Sequence, residues 1–476
     1  MRTAIRVKRK AELLPLSLPS QSHCRPVEER RAAGKALRER CARELHAKWK
    51  APKSRRDPIK ILIESSAGRV KELLPIRYGR MMASPFAFYR GAASIMASDL
   101  APTPANGINV QACGDCHLVN FGGFATPERK IVFDINDFDE TSVAPWEWDV
   151  KRLAASFVVA GRANGFKESD CRKAAWTAAR TYREKMAAYA GMPLLQTWYE
   201  QIDLEKLILS SDDEQMKRFN LGLVRKAAEG SSHEKEFAKL AFQKGEQPRI
   251  KDEPPLIYHV PETKSKEFYK IAVATFRRYI QTLPPERRVL LDRFQIADIA
   301  YKVVGVGSVG TLCGIVLLMA GNGDPLFLQF KEARQSVLEP HAGGSPYKHR
   351  GERVVRGQRL MQASSDIFLG WATGAGAQAR HFYFRQLRDA KIKPVVEVMK
   401  PKNLRNYAVC CGWALARAHA RSTDAVTLAA YLGKSDAFED ALAAFASAYA
   451  DQNERDHAAL RAAVRAGRVE AVTEQA

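Results

Sequence analysis

The sequence predicts an α+β protein with a mostly helical large lobe and a small lobe built on an antiparallel sheet. Apolar residues after Asp149 recur at i, i+3, i+7 and i+8, which is typical of a helix and predicts helix to about residue 190. The Ala-rich sequence from residue 403 predicts helix to near the end of the chain. Two apolar runs within residues 301–331 flank the turn sequence GNGDP, and this order predicts a β-hairpin.

The other elements are predicted in chain order from the same kinds of pattern. Residues 1–60 form a basic N-terminal segment, and residues 61–112 are mixed with a helical start. The Pro-punctuated sequence at 245–255 predicts a connector. The remaining predicted elements are helices at 212–243, 264–282 and about 351–363, and a strand at 381–387.

Length and composition allow a large enzyme with anionic partners. The 476 residues could form two or three average domains or one large two-lobed enzyme. The net charge of +22 favours nucleotides, nucleic acid or other anions as partners. Residues 1–60 hold 18 basic and 6 acidic side chains, so 12 of the 22 excess positive charges lie there. This concentration predicts a basic arm or helix, through which nucleic acid could bind.

The sequence predicts a cytoplasmic protein without a membrane partner. It has no run of about 18 apolar residues, the length that a transmembrane helix needs. The first residues lack the apolar stretch and the small-residue cleavage site of a secretory signal. Eight cysteines in a chain of this length indicate reduced thiols and not a disulfide framework.

The segment from Cys113 to Asp149 carries the residue types used in phosphoryl transfer. Asp115 and Asn120 are five residues apart in a turn-forming stretch, and Asp137 follows a β-branched run. This spacing predicts a loop that presents a base, followed by a strand whose end presents a metal ligand. Phosphoryl transfer needs a carboxylate that orients or deprotonates the acceptor and oxygen ligands for Mg²⁺.

A glycine-rich loop lies about 190 residues further along the chain. Gly305, Gly307 and Gly310 fit the pattern G-x-G-x-x-G, with Ser308 inside it. The loop lies between two predicted strands, as the phosphate-covering loop of protein kinases does, and not before a helix, as in a Rossmann site. Lys331 follows at the end of a later strand, where it could bind a nucleotide phosphate. A tight hairpin with an edge lysine is the alternative interpretation.

Kinase lysines of this type pair with an acidic residue on the following helix. Glu352 heads the predicted helix at about 351–363 and is the candidate partner of Lys331. Glu332 and Glu339 are nearer in sequence, but we expect them to face solvent.

The acidic segment resembles the catalytic loop H-G-D-x-H-x-x-N and the metal-binding segment I-D-F-E of aminoglycoside and choline kinases. The resemblance implies that Asp115 is the catalytic base and that Asn120 and Asp137 hold Mg²⁺. It implies that Asp149, at the spacing of a second family Asp, braces the catalytic loop. Asp134 and Asp139 are alternative metal ligands. Cys113 stands where that pattern has His, which leaves the anchoring of the loop open.

Over most of its length, roughly residues 60–455, the chain resembles a bacterial family known as the domain of unknown function 2252. The resemblance is specific to that family but implies little biochemistry. The stretches that carry it are MMASPFAFYRGAA (81–93), CGDCHLVNFG (113–122), FDINDFDET (133–141), WEWDVKRLAAS (146–156), VVGVGSVGT (303–311), LQFKEA (328–333), GQRLMQ (357–362) and ALARAHARS (414–422).

The order of the two segments is the reverse of that in ordinary kinases, where the glycine loop and the lysine precede the catalytic loop. The kinase resemblance therefore implies a circularly permuted, two-lobed protein-kinase-like fold, which is feasible when the chain termini lie close together at the surface. We expect a small nucleotide-binding lobe at 296–395. The large lobe would combine 61–295, which holds the catalytic and metal loops, with the helical part at 396–476.

The function expected from these features is that of an ATP- and Mg²⁺-dependent, kinase-like phosphotransferase acting on an unknown small molecule or protein. Three alternatives stay open at the level of sequence. The same residues could transfer AMP from ATP bound in the reverse sense. The protein could be a nucleotide-binding pseudokinase, or it could be a basic, nucleic-acid-associated binding protein.

Overall fold

The computed structural model of the chain describes residues 25–209, 214–230, 233–244, 247–303, 305–377, 379–387 and 390–472. The fold is mixed α+β, mostly helical, with a six-stranded antiparallel sheet, and this confirms the predicted class. The first 24 residues of the predicted basic segment lie outside the described residues. Within these ranges, no α-helix combines the length and the apolar character that a bilayer crossing requires.

Helices account for most of the described chain. In chain order they are α1 (Val27–Arg40), α2 (Pro58–Ser65), α3 (Leu74–Met82), α4 (Pro85–Gly91), α5 (Ala93–Leu100), α6 (Trp146–Ala163), α7 (Glu168–Ala190), α8 (Leu194–Tyr199), α9 (Leu204–Leu209), α10 (Glu214–Gly230), α11 (His233–Leu240), α12 (Glu262–Ile280), α13 (Pro285–Leu291), α14 (Glu339–Ala342), α15 (Arg350–Met361), α16 (Pro401–Ala420), α17 (Ala425–Leu432) and α18 (Ala437–Arg465).

The strands form one large sheet and three two-stranded ones. They are β1 (Asn109–Ala112), β2 (Phe121–Ala125), β3 (Ile131–Ile135), β4 (Ser142–Pro145), β5 (Ala241–Lys244), β6 (Gln247–Ile250), β7 (Ile257–Tyr258), β8 (Phe294–Lys302), β9 (Cys313–Ala320), β10 (Pro325–Glu332), β11 (Gly370–Thr373) and β12 (His381–Gln386). The large sheet has the order β11-β12-β10-β9-β8-β7, and the small sheets are β1-β4, β2-β3 and β5-β6.

The register of the large sheet determines which side chains of β10 share a face. Lys331 lies opposite Cys313 on β9 and opposite Tyr383 on β12. Because side chains alternate along a strand, Gln329 and Lys331 point to one face and Phe330 points to the other. The face of Phe330 packs against α12 and forms an apolar cluster of its own. The opposite face carries the polar groups Gln329 and Lys331.

The large hydrophobic core lies among the long helices, and α6 passes through its centre. Sixteen of the 18 residues of α6 are buried, so this helix has no solvent-facing side over most of its length. Its buried positions include the charged residues Asp149 and Arg152 as well as the apolar ones that predicted the helix. A buried charge is costly unless it is paired, so these side chains need partners inside the protein.

Two predicted elements differ from the structure between residues 241 and 255. The helical prediction at 212–243 extends too far, because α11 ends at Leu240 and β5 begins at the next residue. The connector predicted at 245–255 contains β6, which pairs with β5. A strand of four residues contains only two periods of the alternating side-chain pattern. Periodicity in the sequence therefore cannot distinguish such a strand from a helix end or a loop.

The described part of the basic N-terminal segment is helical and packs against α17. Arg38 donates from Nε to the carbonyl of Tyr431 (2.9 Å), and Arg43 donates to the carbonyl of Leu432 (2.8 Å). These carbonyls belong to the last turn of α17, where cations are favoured because helix-end carbonyls are unsatisfied. Part of the basic charge in this segment is therefore used inside the protein.

Candidate functional site

The loop that contains Asp115 is anchored by Asp149, which lies near the start of α6. The Asp149 carboxylate accepts the backbone N–H groups of Cys113 (2.6 Å) and Gly114 (2.9 Å), and Nε2 of His419 lies 3.2 Å away. Hydrogen bonds from N–H groups to a carboxylate are among the stronger ones in proteins. The loop backbone is therefore held although Cys113 replaces the histidine of the kinase pattern.

Gly114 is required at its position for two reasons. Its φ is +86°, in the left-handed region that other residues rarely adopt. A Cβ atom there would also lie 2.3 Å from the carbonyl oxygen of Glu140. The loop thus packs directly against the backbone that follows Asp139.

Arg152 fixes the orientation of the Asp115 carboxylate. Its Nε and Nη2 atoms contact Oδ1 of Asp115 at 2.8 and 2.5 Å. Burial lowers the pKa of Arg152, but the charge of Asp115, the nearby Tyr89 and the hydrogen bonds to Asp115 together raise it above the ordinary value. The Asp115 side chain remains 21% exposed, whereas that of Arg152 is 3% exposed. One edge of the carboxylate is therefore paired, and the side chain as a whole stays accessible.

Asn120 is joined through its backbone to Asn136, the residue before Asp137. The N–H of Asn136 donates to the carbonyl of Asn120 (2.8 Å). The Asn120 side chain donates from Nδ2 to the carbonyl of Asp115 (2.7 Å), so its Oδ1 is the atom left to bind a cation. Among the described residues, the hydrogen bond given to the Asp137 carboxylate is a long one, from the N–H of Asp139 (3.3 Å).

The three aspartates between residues 134 and 139 have different surroundings. Asp134 is fully buried and accepts from Nη2 of Arg417 (2.7 and 2.8 Å) and from the N–H of Ala363 (2.8 Å). Asp134 is therefore committed to a structural ion pair. The carboxylate of Asp137 has the fewest partners of the three.

Asp139 connects the acidic segment to the large sheet. It forms an ion pair with Lys331 and accepts hydrogen bonds from the hydroxyls of Tyr383 (2.5 Å) and Ser308 (3.1 Å). Burial lowers the pKa of Lys331, but Asp137 and Asp139 outweigh burial and raise it well above the ordinary value. Burial raises the pKa of Asp139, yet the charge of Lys331 together with the hydrogen bonds from Lys331 and Tyr383 brings it below the ordinary value. Both groups are therefore charged at neutral pH.

The glycine loop lies between β8 and β9, as the sequence predicts, and residues of the N-terminal half hold its backbone. Arg69 donates to the carbonyl of Val309 (2.6 Å), and the N–H of Val70 donates to that of Gly310 (2.7 Å). Arg80 donates to the carbonyl of Gly305 (2.5 Å). The loop is thus tethered through its carbonyls, and the hydroxyl of Ser308 within it donates to Asp139 (3.1 Å).

Gly305 and Gly310 have φ values of +65° and +84°, which glycine adopts without strain. A Cβ atom on Gly307 would lie 3.6 Å from the carbonyl oxygen of Arg90, which is ordinary contact. Two of the three glycines are therefore explained by backbone conformation alone.

Glu352 lies apart from the ion pair of Lys331. It is in the first turn of α15, where Arg356, one turn further on, contacts its carboxylate at 3.4 Å. The partner of Lys331 in the structure is Asp139. Glu332 and Glu339, expected to face solvent, pair with Arg380 (2.8 Å) and Arg353 (3.3 Å).

The structure adds residues to the site that the sequence reasoning did not single out. Arg152 follows Asp149 by three residues on α6, and this same-face spacing was a usable signal. Tyr383 and Arg385 alternate on β12 and share the face of Lys331, but the register that brings them there is not visible in the sequence. Arg385 donates to Oε1 of Gln329 (3.0 Å).

The arrangement provides a carboxylate oriented by an arginine, an amide oxygen and a second carboxylate on neighbouring backbone segments, and a buried lysine near a glycine-rich loop. Among the described residues, no group of three or more His, Cys, Asp or Glu side chains is placed to hold a metal ion. Asn120 and Asp137 have two oxygen-bearing side chains, and Mg²⁺ commonly takes only one or two protein ligands when phosphate oxygens complete its shell. The donor set therefore fits Mg²⁺ shared with a phosphate ligand.

Comparison with known proteins gives a family and no activity. A family model described as "Uncharacterized protein conserved in bacteria (DUF2252)" matches residues 69–463, a range that contains both segments of the candidate site. A search of curated proteins and a search of solved structures each returned no match. Since the family match covers well over half of the sequence, the chain belongs to the DUF2252 family of bacterial proteins.

Proposed function

We propose that the protein is an ATP- and Mg²⁺-dependent phosphotransferase with a circularly permuted, kinase-like two-lobed fold. The observation that carries the proposal is the contact of the acidic segment with the glycine loop and its lysine. Asp139 pairs with Lys331 across 192 residues of sequence and accepts a hydrogen bond from Ser308. This contact brings the two segments together, which supports the proposal because phosphoryl transfer needs both at one site.

The order of elements around the crevice supports the permuted fold. The glycine loop is followed by β9, the lysine strand β10, the helices α14 and α15, the strands β11 and β12, and a linker into α16. In kinases this succession leads into the catalytic loop; here the catalytic loop precedes it in the chain. The anchoring of that loop by Asp149 is the brace that the kinase resemblance implies.

In this proposal the ATP phosphates bind under Gly305–Gly310 and against Lys331. The lysine then exchanges its ion pair with Asp139 for one with a phosphate, so the buried ammonium keeps an anionic partner. Glycines at 305 and 310 let the loop backbone approach the phosphates and donate N–H groups.

Asn120 and Asp137 would hold Mg²⁺, which neutralises charge on the transferred phosphoryl group. Asp139 stays a positioning residue that keeps the acidic segment against the sheet. Asp115 accepts the proton of the acceptor hydroxyl, and Arg152 keeps its carboxylate in one orientation. Positioning of this kind contributes to rate and not to nucleotide affinity.

The first test is nucleotide binding measured by calorimetry and thermal shift with ATP, with Mg²⁺ and with both. We expect binding that needs Mg²⁺ in the wild type and a loss of at least tenfold in affinity for Lys331→Met. The matched control is Lys434→Met, which removes a fully solvated lysine after α17. Absence of binding at millimolar ATP and Mg²⁺ by the folded wild type would contradict the proposal.

The second test distinguishes transfer of phosphate from transfer of AMP. Turnover is followed with ATP labelled at the γ-phosphate or at the α-phosphate, and with Asp115→Asn as the variant. Transfer of the γ-label, reduced by about 10²–10⁴ in the variant with nucleotide affinity retained, supports the assignment of Asp115. Transfer of the α-label indicates AMP transfer, and binding without turnover indicates a pseudokinase.

The net charge of +22 favours nucleic-acid binding as a second candidate function. That function predicts an affinity that falls steeply with salt, because counterions are released on binding. The contacts of Arg38 and Arg43 with α17 reduce the number of cations that α1 and the segment after it can offer. A filter-binding titration of nucleic acid between 50 and 200 mM salt tests this candidate independently of ATP. A protein that makes six to ten phosphate contacts loses about 10³–10⁵ in nucleic-acid affinity over this range of salt.

A further inference from the structure

A cavity lies beside the linker that joins β12 to α16. Its volume is about 420 Å³, within the usual range of small-molecule sites. None of the residues assigned above to nucleotide, metal or catalysis lines it. Its walls come from the β2-β3 hairpin, the end of α15, the start of β8 and β10, and the linker. The cavity is therefore distinct from the proposed nucleotide crevice.

One part of this cavity is apolar. Its apolar lining includes Phe124, Leu290, Phe294, Leu326 and Phe368. Aromatic and aliphatic walls of this kind favour the body of an organic ligand, because its burial removes apolar surface from water.

The other part is polar and basic, with Arg385, Lys391, Asn136, Gln358 and Gln362. Gln358 donates to Gln362 (2.9 Å), which in turn donates to the carbonyl of Ile135 (2.7 Å). The side-chain oxygens and N–H groups of these amides are thus oriented within the protein. Fixed polar groups at one end of an apolar cavity set the orientation of a ligand.

Lys391 has no hydrogen bond or ion pair with any residue in the described part of the chain. Burial lowers the pKa of its ammonium well below the ordinary value, the charge of Arg385 adds to this effect, and the charge of Asp137 opposes it. Neither of the two carboxylates that line the cavity forms an ion pair with Lys391 among the described residues. Asp366 accepts the N–H groups of Phe368 (2.8 Å) and Gln386, and Asp324 is exposed in the β9-β10 turn.

We propose that this cavity binds a small organic anion whose apolar body fills the aromatic end and whose carboxylate lies between Lys391 and Arg385. An anion there gives the half-buried Lys391 ammonium an ion-pair partner, which no described residue supplies. The bidentate geometry of a carboxylate also fits the guanidinium of Arg385. This site goes beyond the proposed phosphotransferase activity and does not depend on it.

The test compares two probes of equal shape, naphthalene-2-carboxylate and the neutral naphthalene-2-carboxamide. Binding is measured by calorimetry and by ligand-observed NMR on the full chain. The variants are Lys391→Gln, Lys391→Arg and Leu290→Trp, which fills the apolar end. The matched control is Lys393→Gln. It removes one exposed positive charge two residues along the chain from Lys391, and the Lys393 side chain does not line the cavity. Thermal melting establishes that each variant is folded.

We expect the wild type and Lys393→Gln to bind the carboxylate at least tenfold more tightly than the carboxamide. Lys391→Gln should lose this discrimination, Lys391→Arg should keep it, and Leu290→Trp should lose both probes. Equal affinity of the wild type for the two probes would overturn the proposal. So would discrimination that survives in Lys391→Gln, or absence of carboxylate binding at millimolar concentration.

Discussion

Lys331 forms a buried ion pair with Asp139, and this pair joins the large sheet to the acidic segment. The lysine side chain is 3% exposed and that of Asp139 is 25% exposed. Tyr383 and Ser308 donate to the same carboxylate, so three groups converge on Asp139. Asp137, two residues earlier, accepts among the described residues one long hydrogen bond, from the N–H of Asp139 (3.3 Å). We therefore expect the two aspartates to have separable roles, Asp139 in stability and Asp137 in the proposed metal binding.

The variant Asp139→Asn should destabilise the fold because it leaves the Lys331 ammonium buried without its closest counter-charge. The expected loss is about 3 kcal/mol in the free energy of unfolding, at the low end for a broken buried pair because Asp139 is partly exposed and Asp137 stays nearby. Urea denaturation measures it. The comparison variant is Asp137→Asn, which should cost clearly less because Lys331 loses a favourable nearby charge but keeps its ion pair with Asp139. Equal losses in the two variants would contradict the separation of roles.

The variant Arg152→Lys should slow turnover by about tenfold and leave the KM for ATP unchanged. A lysine keeps the charge but cannot contact Asp115 with two N–H groups in a fixed plane. The matched control is Arg162→Lys on the same helix, whose partners Glu168 and Asp451 are exposed. Steady-state kinetics with ATP as the varied substrate checks this. A higher KM with unchanged kcat would place Arg152 in nucleotide binding instead.

The variant Gly114→Ala should destabilise the protein more than an alanine at another left-handed glycine. Gly165, with φ +73°, has open space around the position of a Cβ atom, so Gly165→Ala should cost only about 1–2 kcal/mol for the backbone conformation. Gly114→Ala adds the clash with the Glu140 carbonyl and should exceed it by at least about 1 kcal/mol. Denaturant titration of both variants decides. Indistinguishable losses would mean that the loop moves freely away from Glu140.

The stability of the protein should fall as the pH drops below about 6.5, in part because of His46. Burial lowers the pKa of this fully buried imidazole to about 3, while the unfolded chain protonates it near 6.5. Its contribution is complete above 6.5 and is lost progressively as the pH falls from 6.5 toward 3. Between pH 7 and pH 5 the loss from this group is about 2 kcal/mol.

The test uses His46→Gln, which can keep a hydrogen bond to the hydroxyl of Tyr431. The difference in unfolding free energy between pH 7 and pH 5 should shrink by about 2 kcal/mol relative to wild type. A variant with the same pH dependence as the wild type would show that the His46 ring is protonated in the folded protein.

The sequence predicted the elements whose signal is local. The helix α15 and the strands β9, β10 and β12 follow from periodicity and turn residues within short windows. The position of the glycine loop between two strands follows from the same windows. These features depend on residues that are close together in the chain, so they can be predicted from a single sequence.

The pairs that build the site depend on tertiary contacts, and these a single sequence does not display. Asp134 could be set aside as a metal ligand only once Arg417, 283 residues away, was seen to pair with it. Tyr383 reaches Asp139 through the register of β10 with β12. The ion-pair partner of Lys331 is Asp139 and not Glu352 because the sheet packs on the acidic segment, and the sequence does not display this packing.

The proposed nucleotide site is tested best by a crystal structure of the protein grown with Mg²⁺ and a non-hydrolysable ATP analogue. We expect phosphates between the glycine loop and Lys331, with the metal bound by Asn120 and Asp137. A nucleotide bound outside the crevice, or a metal held without Asp137, would contradict it.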